Sequence, residues 1–373
     1  MAIIRAVTTL SVVTFMFGTK KDKLTEEQVK QALSKVMDPD LNIDVVTLGM
    51  ISDIKIDGDK VHFKLTLTTP ACPVKEKMET DCKEAVAALP GVQEVTMEST
   101  ASVAGLKKAN GKEPVPGIKH IIAVTSGKGG VGKSTVSVNL ACSLAKLGAK
   151  VGLLDADVTG PNIPLMMGVE GFEPQAKENR ILPAINHGVK CISMAFFVSQ
   201  DTPLIWRGPM LDKAIKQFLR DVEWGELDYL IVDMPPGTSD AQISLVQTTD
   251  VSGGVIVTTP QDVALLDGRK GLSMFQRMEV KIFGFVENMS YFQPKGSSEQ
   301  YEIFGRGGGK KLAEEYSVPF LGEVPIDPDV RIGGDIGTTI SISQPDSPVS
   351  QAFLEIAKNV AAQISIHALT NGS

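Results

Sequence analysis

The chain has 373 residues, 43% of them hydrophobic and 22% charged, with a formal net charge of −7. That is an ordinary globular composition with room for two domains, and its negative balance argues against a nucleic-acid partner, which needs a basic face. Four scattered cysteines (Cys72, Cys82, Cys142, Cys191) are too few for a disulfide framework and suit a reducing, cytoplasmic compartment.

Residues 1–24 are expected to form a disordered extension. The apolar and hydroxylic run at 6–17 follows Arg5, but no small-x-small cleavage site follows it and it is too short to span a bilayer. An Arg-bearing, acid-free leader also suits an organellar address, so the compartment stays open beside the cytoplasmic reading. Residues 25–98 read as a small α+β domain. Thr25 and Gln28 make a capping-box pair that opens a helix through about Met37. Ile54–Leu67 reads as a hairpin around 57–59, with alternating Val61, Phe63, Leu65 and Leu67. A second helix is expected from Cys72-Pro73 to about Leu89, with the proline at its first position, and a third strand at Val92–Met97.

Residues 99–117 have the Gly, Pro and Lys content of a linker. From 118 to 373, apolar runs at 121–125, 150–154, 229–233, 254–258, 281–286 and 318–322 alternate with helical stretches. Such alternation predicts an α/β domain with a mostly parallel, helix-covered sheet. A last helix at about 350–366 aligns Phe353, Ile356, Val360 and Ile364 on one face.

The stretch GKGGVGKS at 127–134 fits G-x-x-x-x-G-K-[ST] and lies between a predicted strand and a predicted helix, which is the context a phosphate-binding loop requires. Gly127, Gly129, Gly130, Val131 and Gly132 would turn backbone N–H groups toward phosphate oxygens, with Thr135 following at the helix N-terminus. Lys133 would neutralise β- and γ-phosphates, and the Ser134 hydroxyl would ligate Mg²⁺. Acids follow strand ends: Asp155 and Asp157 in LLDADVTGP, then Asp233 and Asp240 in VDMPPGTSD. Strand carboxyl ends are where open α/β sheets place their ligands.

With those residues in view, the chain resembles the MinD/ParA/nitrogenase-iron-protein class of dimeric P-loop ATPases, whose loop has the form K-G-G-x-x-G-K-[ST]. Within that class it is similar to the Mrp/ApbC family of iron–sulfur cluster carriers. The resemblance rests on SGKGGVGKSTVSVNLA, LLDADVTGPNIP, WRGPM, VDMPPGTSDAQIS, TTPQDVALLD, ENMSYF and VPIDPDVR. Residues 25–98 resemble the small iron–sulfur assembly domain often fused ahead of these ATPases, including TTPACP at 68–73.

The resemblance implies an ATP-hydrolysing homodimer that uses ATP and Mg²⁺, carries a [4Fe–4S] cluster and passes it to apoprotein clients, without stable membrane association. Lys128 would reach the partner's phosphates, Asp157 would position water, and Asp233 would hold Mg²⁺ through water. Asp240 would lie in the second switch. Asn288 would read the adenine edge, with Pro325 and Asp327 in the loop that closes over the base. One departure stands out. Many members of the family carry C-x-x-C after ENMS, and two such pairs hold the cluster between protomers; residues 287–305 contain no cysteine. Cys142 and Cys191 read as core, and Cys82 lies too far along a helix to join Cys72. Cys72, near Lys75 and Lys77, is the candidate iron–sulfur ligand. His62, His120, His187 and His367 have no partner at ligand spacing. The alternatives are an ATP-dependent scaffold, or a MinD/ParA-like positioning ATPase without a cluster.

Overall fold

A computed structural model describes residues 23–39, 41–105, 114–157, 160–197, 208–237, 242–243, 246–247 and 249–370, without the side chains of 208, 209, 211 and 212. Residues 1–22, Trp206, Arg207 and Asp240 lie outside the described residues.

Helix α1 (Glu26–Leu33) begins as its capping box dictates: Thr25 accepts from the Gln28 N–H, and the Gln28 side chain accepts from the Thr25 N–H. It stops four residues short of Met37. Asp38 accepts the Leu41 N–H and starts a turn, and Met37–Asp38 pairs antiparallel with Ile43–Asp44. The expected hairpin is present as β1 (Ile51–Asp57) and β2 (Lys60–Leu67), joined through Gly58 at φ 62°. Its alternation buries Val61, Phe63, Leu65 and Leu67 against α1 and α2 (Lys75–Ala87). The N-cap of α2 is Val74, so Pro73 and Cys72 precede the helix and do not open it. Strand β3 (Glu94–Ala101) then pairs parallel with β2.

The second sheet has eight strands: β4 (Ile118–Thr125), β5 (Val151–Asp155), β6 (Ala184–Asn186), β7 (Val189–Ser193), β8 (Leu227–Asp233), β9 (Gly253–Thr258), β10 (Ile282–Phe292) and β11 (Phe320–Ile326). Their order is β6-β7-β5-β8-β4-β9-β10-β11. Only the edge strand β6 runs antiparallel. Strands β4, β5, β8 and β9 are almost wholly buried, as parallel strands covered on both faces must be. One face packs Val136, Leu140 and Leu144 of α3 (Lys133–Lys146) with Phe353, Ile356, Val360 and Ile364 of the last helix. The other packs Ile215, Phe218 and Leu219 of α4 (Gly208–Asp221), Leu272 and Phe275 of α5 (Asp262–Arg277), and Leu312 of α6 (Gly308–Glu315). Helix α7 (Pro328–Asp335) follows β11, and α8 (Pro348–Thr370) extends beyond the expected 350–366 at both ends.

The loop at 69–71, just past β2, docks on the second sheet and its covering helices. The Thr69 hydroxyl lies 2.9 Å from the Tyr229 hydroxyl of β8, and Ala71 is buried in the same cluster as α3 and α8. At Gly148, beyond the end of α3, an added Cβ would meet Pro70 at 3.9 Å. This docking loop therefore meets the large sheet at the amino end of β8.

Candidate nucleotide site

At the opposite end of β8, its last residue Asp233 is fully buried and gathers three donors from the start of α3. Lys133 Nζ and Ser134 Oγ each lie 2.7 Å from Oδ2, and Ser137 Oγ lies 2.6 Å from Oδ1. A buried carboxylate is tolerable only when paired and hydrogen-bonded, and both conditions are met here. Beside it, in register on β5, lies Asp155. Burial, reinforced by the Asp233 carboxylate, pushes Asp155 up to about 8, against hydrogen bonds from Ser193 Oγ and the Asp157 N–H that favour its charged form.

The loop ahead of α3 is shaped by two of its glycines. Gly132 caps the helix in the left-handed region, at φ 83°, and a Cβ there would meet Asn288 Nδ2 at 2.2 Å. Gly127 is pressed against α5, where a Cβ would lie 2.0 Å from the Asp267 carbonyl carbon. No larger residue fits either place without displacing its neighbour.

Above Asp233 lies a cavity of about 580 Å³. Lys128, Gly129, Gly130, Gly132, Lys133, Ser134 and Thr135 line it from the loop side, and Asp157 joins them from the end of β5. Asn288, Pro325 and Asp327 face it from the β10 and β11 side. Gly127 and Val131 do not line it, because they form the loop's inner surface against α5 and β10. Lys128 is partly exposed and forms no ion pair with any described residue, while its backbone carbonyl accepts the Ser126 hydroxyl at 2.9 Å.

Asn288 has a contact that sequence reasoning missed. Its Nδ2 donates to the Val131 carbonyl at 2.9 Å, tying the loop to β10. Ser137 was missed as well, because a serine one turn inside a helix carries no motif of its own. Asp327 caps α7 by accepting the Asp329 N–H.

The donor set fits a magnesium–nucleotide complex. It combines a glycine cradle, a buried lysine, a helical hydroxyl and a strand-end carboxylate at one end of one cavity.

The cysteines lie elsewhere. Burial pushes the Cys82 thiol up to about 12 and Cys142 to about 11, and raises Cys191 well above its ordinary value. Cys72 is only half-buried and sits beside the docking loop at the far end of α3. Fourteen helical residues, about 21 Å of rise, separate that end from the phosphate loop. No group of three or more His, Cys, Asp or Glu side chains is arranged to hold a metal among the described residues. Segment 292–307 is instead folded on itself: Phe292 pairs with Tyr301, and Arg306 binds Glu323 and covers the Tyr291 ring at 4.3 Å.

Comparison with known proteins extends this geometry. Residues 117–361 match the model of a family described as the NUBPL iron-transfer P-loop NTPase, and residues 26–97 match one described as an iron-sulfur cluster assembly protein. An iron-sulfur cluster carrier protein of Synechocystis is 51% identical over 93% of this chain and 99% of its own length. Among solved structures, the nucleotide-binding protein of Archaeoglobus fulgidus in complex with ADP superposes with a TM-score of 0.54 at 39% identity, over 60% of this chain and 88% of that one. The septum site-determining protein MinD of Pyrococcus horikoshii, complexed with Mg-ADP, does so with a TM-score of 0.50 at 26% identity, over 64% and 94%.

Proposed function

The chain belongs to the NUBPL iron-transfer P-loop NTPase family, and from that premise we propose that it hydrolyses ATP as a homodimer and delivers iron–sulfur clusters to apoprotein clients in a reducing, cytoplasmic setting. The observation that carries the reading is the junction of Lys133, Ser134 and Asp233 beneath a cavity whose rim holds a second lysine with no ion-pair partner among the described residues.

Each residue then has a task that its position allows. The loop N–H groups and Lys133 bind the phosphates. Ser134 and Asp233 hold the divalent cation, which when bound neutralises the β- and γ-phosphates. Asp157 orients the attacking water, and Lys128 supplies a cation to the partner's nucleotide as charge builds in transfer. Pro325 and Asp327 flank the base side, with Asn288 reading the base edge while it anchors the loop.

The cargo is a cluster, and its thiolates need an explanation, since segment 287–305 supplies none. Cys72 is the thiol not sealed in a core, so we assign it the cluster contact, some 20 Å of helix from the nucleotide. A second reading is an ATP-dependent scaffold, favoured by the burial of the other three thiols. Anaerobic reconstitution with iron and sulfide separates the two, with Cys72→Ala alongside wild type and ATP turnover measured on the same samples. The carrier reading expects cluster absorbance and transfer to an apoferredoxin in wild type, and loss of both in Cys72→Ala. Turnover without any cluster in wild type would leave the scaffold.

A further inference from the structure

We infer that Ser137 is a positioning residue for the divalent cation: it holds one oxygen of Asp233 in place while the other is released to the metal site. The inference rests on the ATPase reading above and concerns a residue outside the phosphate-loop motif.

Asp233 Oδ2 is shared by Lys133 Nζ and Ser134 Oγ, both at 2.7 Å. Lys133 is the group assigned to phosphate, so its donation to Oδ2 is the one that nucleotide binding redirects, while Ser134 would face the cation with an oxygen lone pair and keep its proton for Oδ2. Of the three α3 donors, Ser137 is the one with no task at the nucleotide, and the one that holds Oδ1. Its hydroxyl lies 2.6 Å from Oδ1, and both residues are fully buried. Ser137 carries one proton and has two acceptors within reach, the second being the Lys133 carbonyl at 3.1 Å. The shorter bond to an ionised acceptor is the stronger, so the proton belongs to Asp233. The backbone alternative is an ordinary helical contact that any serine makes.

The geometry gives the bond a purpose. Asp233 ends a buried strand, so its backbone is fixed, and the freedom left to the carboxylate is rotation about its side-chain bonds. A hydrogen bond to Oδ1 removes that rotation. Without it, a carboxylate that has lost Lys133 would be held at Oδ2 alone, and the cation would have to order it at binding.

The test separates cation from nucleotide. Fluorescent ADP is titrated into the full chain in EDTA, and then Mg²⁺ is titrated into the protein–ADP mixture. Loss of one charge-assisted hydrogen bond corresponds to about a tenfold change in an equilibrium. Ser137→Ala is therefore expected to raise the Mg²⁺ concentration at half-effect about tenfold, with ADP affinity in EDTA within twofold of wild type. Ser137→Cys keeps the volume with a weaker donor and should fall between them, which keeps the test open should Ser137→Ala fold poorly. An unchanged Mg²⁺ midpoint in either folded variant overturns the inference, and so does an equal loss of affinity in EDTA. Failure of wild type to bind ADP would instead remove the ATPase reading beneath it.

Discussion

The two lysines of the phosphate loop have opposite surroundings. Lys133 is 6% exposed and paired with Asp233, whereas Lys128 stands partly exposed at the cavity rim without a partner among the described residues. Removing each should therefore do different things. Lys128→Ala leaves the cradle intact, so fluorescent ADP should bind within about threefold of wild type, while ATP turnover should fall by about 100-fold or more if the cation acts in the partner's site. Unchanged turnover would end the trans-acting assignment. At the other lysine the prediction is read in stability. Asp233→Asn leaves the Lys133 ammonium buried without its counter-ion, a defect of about 3–5 kcal/mol, measurable by urea unfolding of the nucleotide-free protein. A loss below about 1 kcal/mol would mean that Lys133 had found water. The motif made Lys133, Ser134 and Asp233 legible, because phosphate chemistry fixes residue types at fixed spacing. Ser137 and the Asn288–Val131 bond were not legible, since each depends on how far apart α3, β8 and β10 lie in space.

Elements were read best where burial imposes a period. Strand β2 alternates and α8 presents one apolar stripe; both are present, with α8 longer than its stripe suggested at both ends. The continuous apolar runs became β4, β5, β8, β9, β10 and β11, with ends shifted by a few residues. The short edge strand β6 was missed because three residues at an edge need no apolar pattern. Helix α2 starts later than its proline suggested, since Pro73 lies in the segment that leads from the docking loop to Val74. Element packing also ranks the glycines of the loop, which sequence alone treats alike. At Gly127 a Cβ would collide with the Asp267 backbone of α5, whereas at Gly129 it would meet nothing within 4 Å. Gly127→Ala should therefore push α5 away and cost about 2 kcal/mol or more. Gly129→Ala, with φ outside the left-handed region, should stay within about 0.5 kcal/mol of wild type. Equal unfolding midpoints for the two variants would contradict the close approach.

At the scale of the molecule, strand β8 joins two events at its two ends. Asp233 closes one end beneath the cavity, and Tyr229 meets Thr69 of the docking loop near the other. Beside Tyr229 lies His120 of β4, its ring 6.0 Å away and stacked. His120 Nε2 donates to the Ala104 carbonyl just past β3, while Nδ1 is buried with no partner among the described residues. Burial therefore depresses the His120 pKa to about 4, outweighing the raising effect of the Ala104 bond. His367 is lowered too, first by burial and then by Lys281. The sign follows from proton counting. Between pH 6.5 and 4 the unfolded chain binds a proton at position 120 that the folded chain refuses, so the stability present above pH 6.5 is lost as pH falls. One fully refused proton costs about 1.4 kcal/mol per pH unit. Asp155, raised to about 8 in the folded chain, contributes a slope of opposite sign over the same range, so the His120 contribution is read as the difference between wild type and a His120 variant in urea unfolding at pH 7, 6 and 5. His120→Gln keeps a donor for the Ala104 carbonyl but cannot take up a proton, so its stability relative to wild type should rise as pH falls from 7 to 5. The junction is the part that should yield first, since Ala104 leads into the small sheet: wild type at pH 5, but not His120→Gln, should show Cys72 alkylated several-fold faster than at pH 7 once rates are corrected for thiolate fraction. A stability difference between wild type and His120→Gln that stays constant from pH 7 to 5 would place the titrating group elsewhere, and would detach the junction from His120.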